Sequence, residues 1–222
     1  MIESSKRLTA VFQMTPAVHS VGDIGCDHGY ISHALLEANR AEKVIATDIS
    51  APSLNKAATL LQGAFKGHFE TRLGDGFAPI DAGEIQGAII MGMGGQLIAD
   101  ILARGKDLVD SLDWCILQPM QGTEDLFDYL NRAGFALMES DLVEERGKFY
   151  PLLLVKKGEG TAIGWKNFAR YEDFIPMAEK ELKRLRSVRR AVEKSGRADV
   201  IEKADADVKV WEGYLEYSRT HQ

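Results

Sequence analysis

Short apolar runs alternate with longer segments of helical periodicity through most of the chain. A helical pattern over residues 4–13 comes first, with Leu8, Val11 and Phe12 on one side. The apolar runs that predict strands span residues 18–24, 43–48, 69–73, 87–91 and 114–117. Each run is short enough for a strand, and helical patterns alternate with these runs. Five strand–helix alternations predict a parallel sheet that helices cover on both faces.

The pattern then changes twice. Residues 136–144 and 148–156 predict a pair of antiparallel strands joined by the turn at 145–147. Beyond residue 158 the apolar positions follow a seven-residue repeat, first in Tyr171, Ile175, Ala178, Leu182, Leu185 and Val192, and then in Ile201, Ala204, Val208, Trp211 and Leu215. Two apolar stripes around a polar break at Ser195-Gly196 predict an antiparallel helical hairpin. We therefore expect an α/β domain over residues 1–158 and a helical appendage over 159–222.

The loop after the first strand has an unusual density of small and acidic residues. The sequence runs Asp-Ile-Gly-Cys-Asp-His-Gly from Asp23 to Gly29 and leads into a helical pattern. Strand, glycine-bearing turn and helix form the layout of a nucleotide-binding βα unit. The glycine spacing differs from the dinucleotide pattern. It resembles the first motif of methyltransferases that use S-adenosylmethionine (SAM).

Acidic residues also follow the next two strands, and the ligand of such a sheet lies beyond the carboxyl ends of its strands. In a SAM site, Asp48 would accept hydrogen bonds from the two ribose hydroxyls and Asp75 from the adenine amino group. Gly25 would let the backbone approach the cofactor closely, and the N-terminus of the following helix would bind the methionine carboxylate. Each acid alone could equally cap a helix or turn. Their order favours SAM over a nicotinamide nucleotide. The predicted cofactor-binding residues are Asp23, Ile24, Gly25, Cys26, His28, Asp48, Ile49, Asp75, Gly76, Met91 and Gly92.

The fourth and fifth strand ends are where such an enzyme would meet its substrate. Gly92-Met-Gly-Gly95 lacks the Asn/Asp-Pro-Pro-aromatic sequence of enzymes that methylate exocyclic amines, so we do not expect that reaction. The glycines predict a tight turn that also leaves room for a flat substrate. We predict substrate contacts from Met93, Gly94, Gly95 and Pro119.

Charge is unevenly distributed along the chain. The net charge is −6, which by itself argues against a nucleic-acid partner. Residues 1–158 hold 14 Lys and Arg against 21 Asp and Glu, whereas residues 159–222 hold 13 against 12. A basic helix is often only a solvated face. The density of positive charge in the first helix of the predicted hairpin is high, which favours contacts with nucleic-acid phosphates. We assign these contacts to Lys183, Arg186, Arg189 and Arg190.

Several classes of protein fit poorly. Cys26 and Cys115 are too few for a disulfide framework or a zinc site, so we expect reduced thiols and no metal. No apolar run reaches the roughly 18–20 residues of a membrane span, and the first residues lack the layout of a secretory signal. We expect a cytoplasmic protein, monomeric rather than oligomeric.

Read together, Asp-Ile-Gly-Cys-Asp-His-Gly-Tyr (23–30), Met-Gly-Met-Gly-Gly (91–95), Leu-Gln-Pro-Met (117–120) and Glu-Glu-Arg-Gly-Lys-Phe-Tyr (144–150) resemble the bacterial TrmK family. The resemblance covers essentially the whole chain. It implies methylation of N1 of an adenosine at tRNA position 22, with SAM as methyl donor. N1 lies on the Watson–Crick edge, so the base must be unpaired or splayed out. For that reaction we predict Asp27 as a carboxylate near the reacting centre and Gln118 as a reader of the base edge. The alternatives are a small-molecule methyltransferase and a SAM- or RNA-binding protein without catalysis.

Overall fold

The computed structural model describes residues 2–194 and 197–221. The polar break predicted at Ser195-Gly196 lies outside the described residues. The chain divides into two compact units, Met1–Ile163 and Gly164–Gln222. Each unit is described on its own below.

The first unit is built on a seven-stranded sheet with the order β3-β2-β1-β4-β5-β7-β6. The strands are β1 (Val18–Ile24), β2 (Ala41–Asp48), β3 (Phe69–Leu73), β4 (Gly87–Gly94), β5 (Trp114–Gln121), β6 (Phe135–Glu145) and β7 (Lys148–Lys157). The first five are parallel, and β7 pairs antiparallel with both β5 and β6. The predicted Rossmann-like class, a mostly parallel sheet with a closing hairpin, is confirmed.

Helices cover this sheet. They are α1 (Lys6–Met14), α2 (Tyr30–Glu37), α3 (Ala51–Leu61), α4 (Gly95–Arg104), α5 (Lys106–Val109) and α6 (Thr123–Arg132), with a 3₁₀ turn at Ile2–Ser4. Two of these helices begin after a capping serine: the side chains of Ser5 and Ser50 accept hydrogen bonds from backbone N–H groups in the first turns of α1 and α3. Pro52 lies in the first turn of α3, where a backbone N–H has no partner within the helix and its absence costs nothing. The middle residues of the central strands are buried because α-helices lie on both faces, and Ile89, Ile90 and Ile116 have no exposed surface.

The expectation of five strand–helix alternations is wrong at one place. Residues 74–86, between β3 and β4, form turns and no helix. Gly76 takes φ +61° and Pro79 interrupts the backbone donors, so the segment resists helical winding. Arg72 on β3 instead ties this segment down, donating to the carbonyl of Pro79 (2.9 Å) and to the Glu84 carboxylate.

The second unit contains a 3₁₀ turn (Trp165–Phe168) and two helices, α7 (Phe174–Glu193) and α8 (Ala198–His221). The helices pack along buried faces that include Leu182, Leu185, Trp211 and Leu215. Interhelical ion pairs flank this seam: Arg186–Glu212 at 2.7 Å, Arg189–Asp205 at 2.7 Å and Arg219–Glu179 at 3.0 Å. Their arrangement matches α8 running antiparallel to α7.

Candidate functional site

Two cavities open beyond the carboxyl ends of β1 to β4. The first, here called the loop cavity, has a volume of about 620 Å³ and lies against the loop from Gly25 to Tyr30, the start of α1 and the turn at Glu145 and Arg146. The second, the strand-end cavity, has about 430 Å³ and is lined by Asp48, Asp75 and their neighbours. The two cavities share a wall formed by Arg7, Gly25, Asp27, Met91 and Gly92. A ligand that spans both cavities would therefore have its middle at this wall.

Most predicted cofactor residues line these cavities. Asp23, Gly25, Cys26, His28, Met91 and Gly92 lie on the loop cavity, and Ile24, Asp48, Ile49, Asp75 and Gly76 lie on the strand-end cavity. Met93, predicted to contact the substrate, also lines the strand-end cavity. Asp27 lies on the wall that both share.

The glycines of the wall have conformations that a side chain would disturb. Gly25 takes φ +75°, and a Cβ there would lie 2.0 Å from Cε of Met93. Gly92 takes φ +78°, and a Cβ there would meet no described atom within 4 Å. At Gly92 the missing side chain therefore leaves space that a ligand can fill. Backbone N–H groups of Gly25 and Cys26 both donate to Thr47 O, at 2.8 and 3.0 Å, and hold the loop against β2.

Asp23 is a buried carboxyl group on the loop cavity. It is 2% exposed and accepts a hydrogen bond from the hydroxyl of Ser32. Burial raises the pKa of Asp23 to about 6, although the bond from Ser32 opposes the shift. A cationic group in the cavity would offset the cost of burying the charged form. The site thus suits an ammonium ion next to Asp23.

Two other acids mark the strand-end cavity. Asp48 accepts from the backbone N–H of Asp27 (3.1 Å) through one oxygen and from that of Ser50 (2.8 Å) through the other. Asp75 pairs with Arg104, whose Nη2 lies 3.0 Å from both carboxylate oxygens. Each oxygen keeps a lone pair beyond these bonds, so both acids can still accept from a hydroxyl or an amine.

Asp27 has a strained backbone and an ordered side chain. It takes φ +48°, the left-handed region that non-glycine residues rarely adopt. Its Oδ2 lies 2.7 Å from Nδ1 of His28, and Nε2 of the same ring lies 3.3 Å from Nζ of Lys56. Since a lysine ammonium can only donate, the neutral ring accepts at Nε2 and donates from Nδ1 to Asp27. Among the described residues Oδ1 of Asp27 has no partner, and it lies beside the shared wall.

Gln118 does not line either cavity. Its side chain is fully buried, and its Oε1 accepts from Nη1 of Arg7 (3.0 Å) and from the backbone of Gly92 (3.3 Å). Its Nε2 donates to the carbonyl of Pro119 at 2.7 Å. This arrangement differs from the base-reading role predicted for Gln118, because the amide is engaged within the protein.

Three predicted substrate residues are likewise outside the cavity linings. Gly95 is buried, and a Cβ there would lie 2.0 Å from the carbonyl oxygen of Gly122, so backbone packing accounts for this glycine. Gly94 is the N-cap of α4. Pro119 lies in β5 and is buried. Packing thus explains Gly95 without a substrate, whereas the substrate contacts of Gly94 and Pro119 stay a prediction.

Arg7 is the residue of this site that the sequence did not reveal. It lines both cavities, its guanidinium carbon lies 5.2 Å from the centre of the Tyr150 ring, and its Nη1 is bound to Gln118. Its Nε is buried and has no hydrogen-bond partner among the described residues. Arg7 lies on the polar side of the helix predicted over residues 4–13, and such a side usually contacts solvent. The sequence pattern therefore did not indicate that Arg7 belongs to the site.

The basic residues of α7 divide into two groups. Arg186 and Arg189 pair with Glu212 and Asp205 of α8. Lys183 and Arg190 form no ion pair with any residue that the structure describes. The second pair of cations is therefore available to an anionic partner.

The described part of the chain has no group of three or more metal-ligating side chains and no helix that could cross a membrane. Cys26 and Cys115 are buried thiols, and burial raises the pKa of Cys26. A protonated, buried thiol is a poor nucleophile.

Comparison with known proteins gives consistent results. A family described as a methyltransferase domain matches residues 4–153. A tRNA (adenine(22)-N(1))-methyltransferase of Bacillus subtilis is 33% identical over 162 residues, 72% of this chain and 68% of that protein. The crystal structure of the Bacillus subtilis m1A22 tRNA methyltransferase TrmK matches with a TM-score of 0.87 and 26% identity, covering 97% of this chain and 100% of that one. A putative tRNA (m1A22) methyltransferase of Streptococcus pneumoniae in complex with SAM matches with a TM-score of 0.85 and 26% identity, over 95% and 99% of the two chains.

Proposed function

The chain belongs to the bacterial TrmK family of tRNA methyltransferases, and on that basis we propose that it methylates N1 of an adenosine in tRNA, at position 22 as in its named relative. Its cofactor is SAM. One observation carries the proposal beyond family membership: the two cavities meet at a wall of Arg7, Gly25, Asp27, Met91 and Gly92. A cofactor that spans both cavities would present its central sulfur at this wall.

The cavity residues fit the cofactor part by part. Asp23 would face the ammonium of the methionine portion, and Asp48 would accept from the ribose hydroxyls. Asp75, Ile49 and Met93 would surround the adenine in the strand-end cavity. The space over Gly92 leaves room at the wall. When bound, SAM supplies an electrophilic methyl group carried on a positively charged sulfur.

The chain's own contribution to the reaction is then mainly alignment and electrostatics. N1 of adenine carries a lone pair and no proton, so no base has to remove one before the methyl group is transferred. Positive charge develops on the adenine as the bond forms. Oδ1 of Asp27 can accept from the exocyclic amine and offset that charge, while His28 fixes the carboxylate through Oδ2.

We assign Gln118 a positioning role. Its Oε1 accepts from both Arg7 and Gly92, and its Nε2 donates to the carbonyl of Pro119. These bonds hold two residues of the shared wall in position. Removal of the amide would leave buried donors without partners.

The second unit is proposed to bind the tRNA backbone. Lys183 and Arg190 are the cations on α7 best placed for phosphates, because Arg186 and Arg189 already pair with α8. A tRNA substrate also implies a cytoplasmic location. The same basic helix disfavours a small-molecule substrate.

Incubation of the protein with methyl-labelled SAM and bulk tRNA, followed by digestion to nucleosides, tests the proposal directly. We expect label in 1-methyladenosine, and a transcript whose adenosine 22 is replaced by guanosine should lose it. Label in a different nucleoside would contradict the assigned reaction. SAM binding without label in RNA would leave a small-molecule substrate or a non-catalytic binding protein.

A further inference from the structure

Two arginines line the loop cavity from separate elements. Arg7 projects from α1, and Arg146 lies in the turn between β6 and β7. Neither forms an ion pair within 4.0 Å with a described carboxylate. They occur in the part of the chain that holds 21 acidic against 14 basic residues. Cations without partners in an acidic domain are candidates for binding an anion.

Both the backbone and the guanidinium group of Arg7 make contacts within the protein. The carboxylate of Glu145 lies near the start of α1, and its Oε1 is buried without a hydrogen-bond partner among the described residues. Burial alone would raise the pKa of Glu145, but interactions with Ser5, with the backbone of Lys6 and Arg7 and with the Arg7 charge lower it overall, so the carboxylate stays ionised. The guanidinium is then fixed by Gln118 and by the ring of Tyr150. A side chain fixed in this way loses little entropy when it binds a ligand.

The chemistry of the ligands decides what the arginines bind. The cofactor carries positive charge on its sulfur and its amine, and its single carboxylate is served by the N-terminus of α2, which follows the left-handed Gly29. A nucleotide within an RNA chain carries a phosphate on each side. Two arginines at one cavity match two phosphates, and a guanidinium binds phosphate oxygens in a bidentate manner.

We propose that Arg7 and Arg146 bind the phosphates that flank the target nucleotide and so bring that nucleotide to the shared wall. This inference rests on the proposed tRNA substrate. Glu145 links the two arginines, since its carboxylate interacts with the start of α1 and it precedes Arg146 directly in the chain. The cavity entrance is thus built from α1 and the β6–β7 turn together.

Steady-state methylation of tRNA by Arg7→Gln and Arg146→Gln tests the inference, with binding of S-adenosylhomocysteine measured by calorimetry. We expect each substitution to raise the KM for tRNA by about tenfold and to lower the salt slope of tRNA binding by about 1. The affinity for S-adenosylhomocysteine should change less than about twofold, because this inference assigns the methionine carboxylate to the N-terminus of α2 and not to either arginine. Arg7→Lys should keep part of the tRNA affinity, since lysine retains the positive charge but cannot bind a phosphate through two parallel N–H donors. The matched control is Arg132→Gln, which removes an exposed arginine at the end of α6, outside both cavities.

Two results would overturn the inference. A loss of S-adenosylhomocysteine affinity with an unchanged KM for tRNA would assign Arg7 to the methionine carboxylate. Unchanged values for both ligands, in variants with a wild-type unfolding temperature, would make both arginines structural. A wild-type protein that forms no 1-methyladenosine contradicts the proposed function itself, whereas an active wild type with unaffected arginine variants contradicts only this inference. If Arg7→Gln does not fold, the exposed Arg146 still provides the test.

Discussion

Nη1 of Arg7 donates to Oε1 of Gln118 at 3.0 Å, although 111 residues separate them. The bond joins α1, which precedes the sheet, to the carboxyl end of β5. It gives Gln118 a structural partner and brings a cation to the wall between the cavities. The functions of these two side chains are therefore coupled.

Substitution of Gln118 by Leu should reveal that coupling. We expect a loss of about 1–3 kcal/mol in the free energy of unfolding, because Arg7 and the Gly92 N–H lose a buried acceptor. The KM for tRNA should rise as in Arg7→Gln. The double variant should be little worse than either single one, with a coupling energy of about 1 kcal/mol or more. Strictly additive effects on KM would show that the two residues act separately and would restore direct base reading by Gln118.

Substitution of Asp27 separates catalysis from binding. Asp27→Asn and Asp27→Ala should lower kcat by about 100-fold, since the developing charge on the adenine loses its carboxylate. The KM for tRNA should change far less. Single-turnover rates and equilibrium tRNA binding measure the two effects, and Asp128→Asn, an exposed acid on α6, is the matched control. Unchanged turnover would remove Asp27 from the mechanism.

The buried Asp23 makes stability depend on pH in a defined direction. Its pKa rises from 3.8 to about 6 in the folded protein, so the folded state binds this proton more tightly than the unfolded state does. The resulting stabilisation is complete below about pH 4 and is lost as the pH rises through about 6, by about 3 kcal/mol in total. Urea titrations of Asp23→Asn and of the wild type between pH 4 and 8 should therefore diverge, with the variant gaining relative stability as pH rises. Parallel curves would mean that Asp23 titrates normally.

The two groups of cations on α7 should respond differently to neutralisation. Lys183→Gln with Arg190→Gln should weaken tRNA binding and reduce its salt slope by about 2, with little effect on stability. Arg186→Gln with Arg189→Gln should also lose the pairs with Glu212 and Asp205. Filter binding at several salt concentrations and thermal unfolding distinguish these outcomes. If the first double variant binds tRNA normally, α7 serves stability or another partner.

The sheet and the glycine loop could be predicted from local sequence, whereas the packing of the site could not. Runs such as Ile89 and Ile90 predict buried strands because no other arrangement hides them from water. The turns at 74–86 depend on Arg72 reaching Pro79 and Glu84, which periodicity does not record. Gln118 was assigned by residue type and Arg7 was not assigned at all, because the position of each relative to the other across the fold is not recorded in local sequence.

Arg72 also affects how the protein behaves toward copies of itself. β3 is an edge of the sheet, and no helix follows it to cover its open backbone groups. Arg72 binds Glu70 and Glu84, and Lys43 joins the same cluster through Glu70. The arginine lowers the pKa of Glu84 to about 2, so the cluster stays charged over a wide pH range. A charged edge strand is a poor template for another strand, so we expect this one arginine to disfavour edge-to-edge association of two copies.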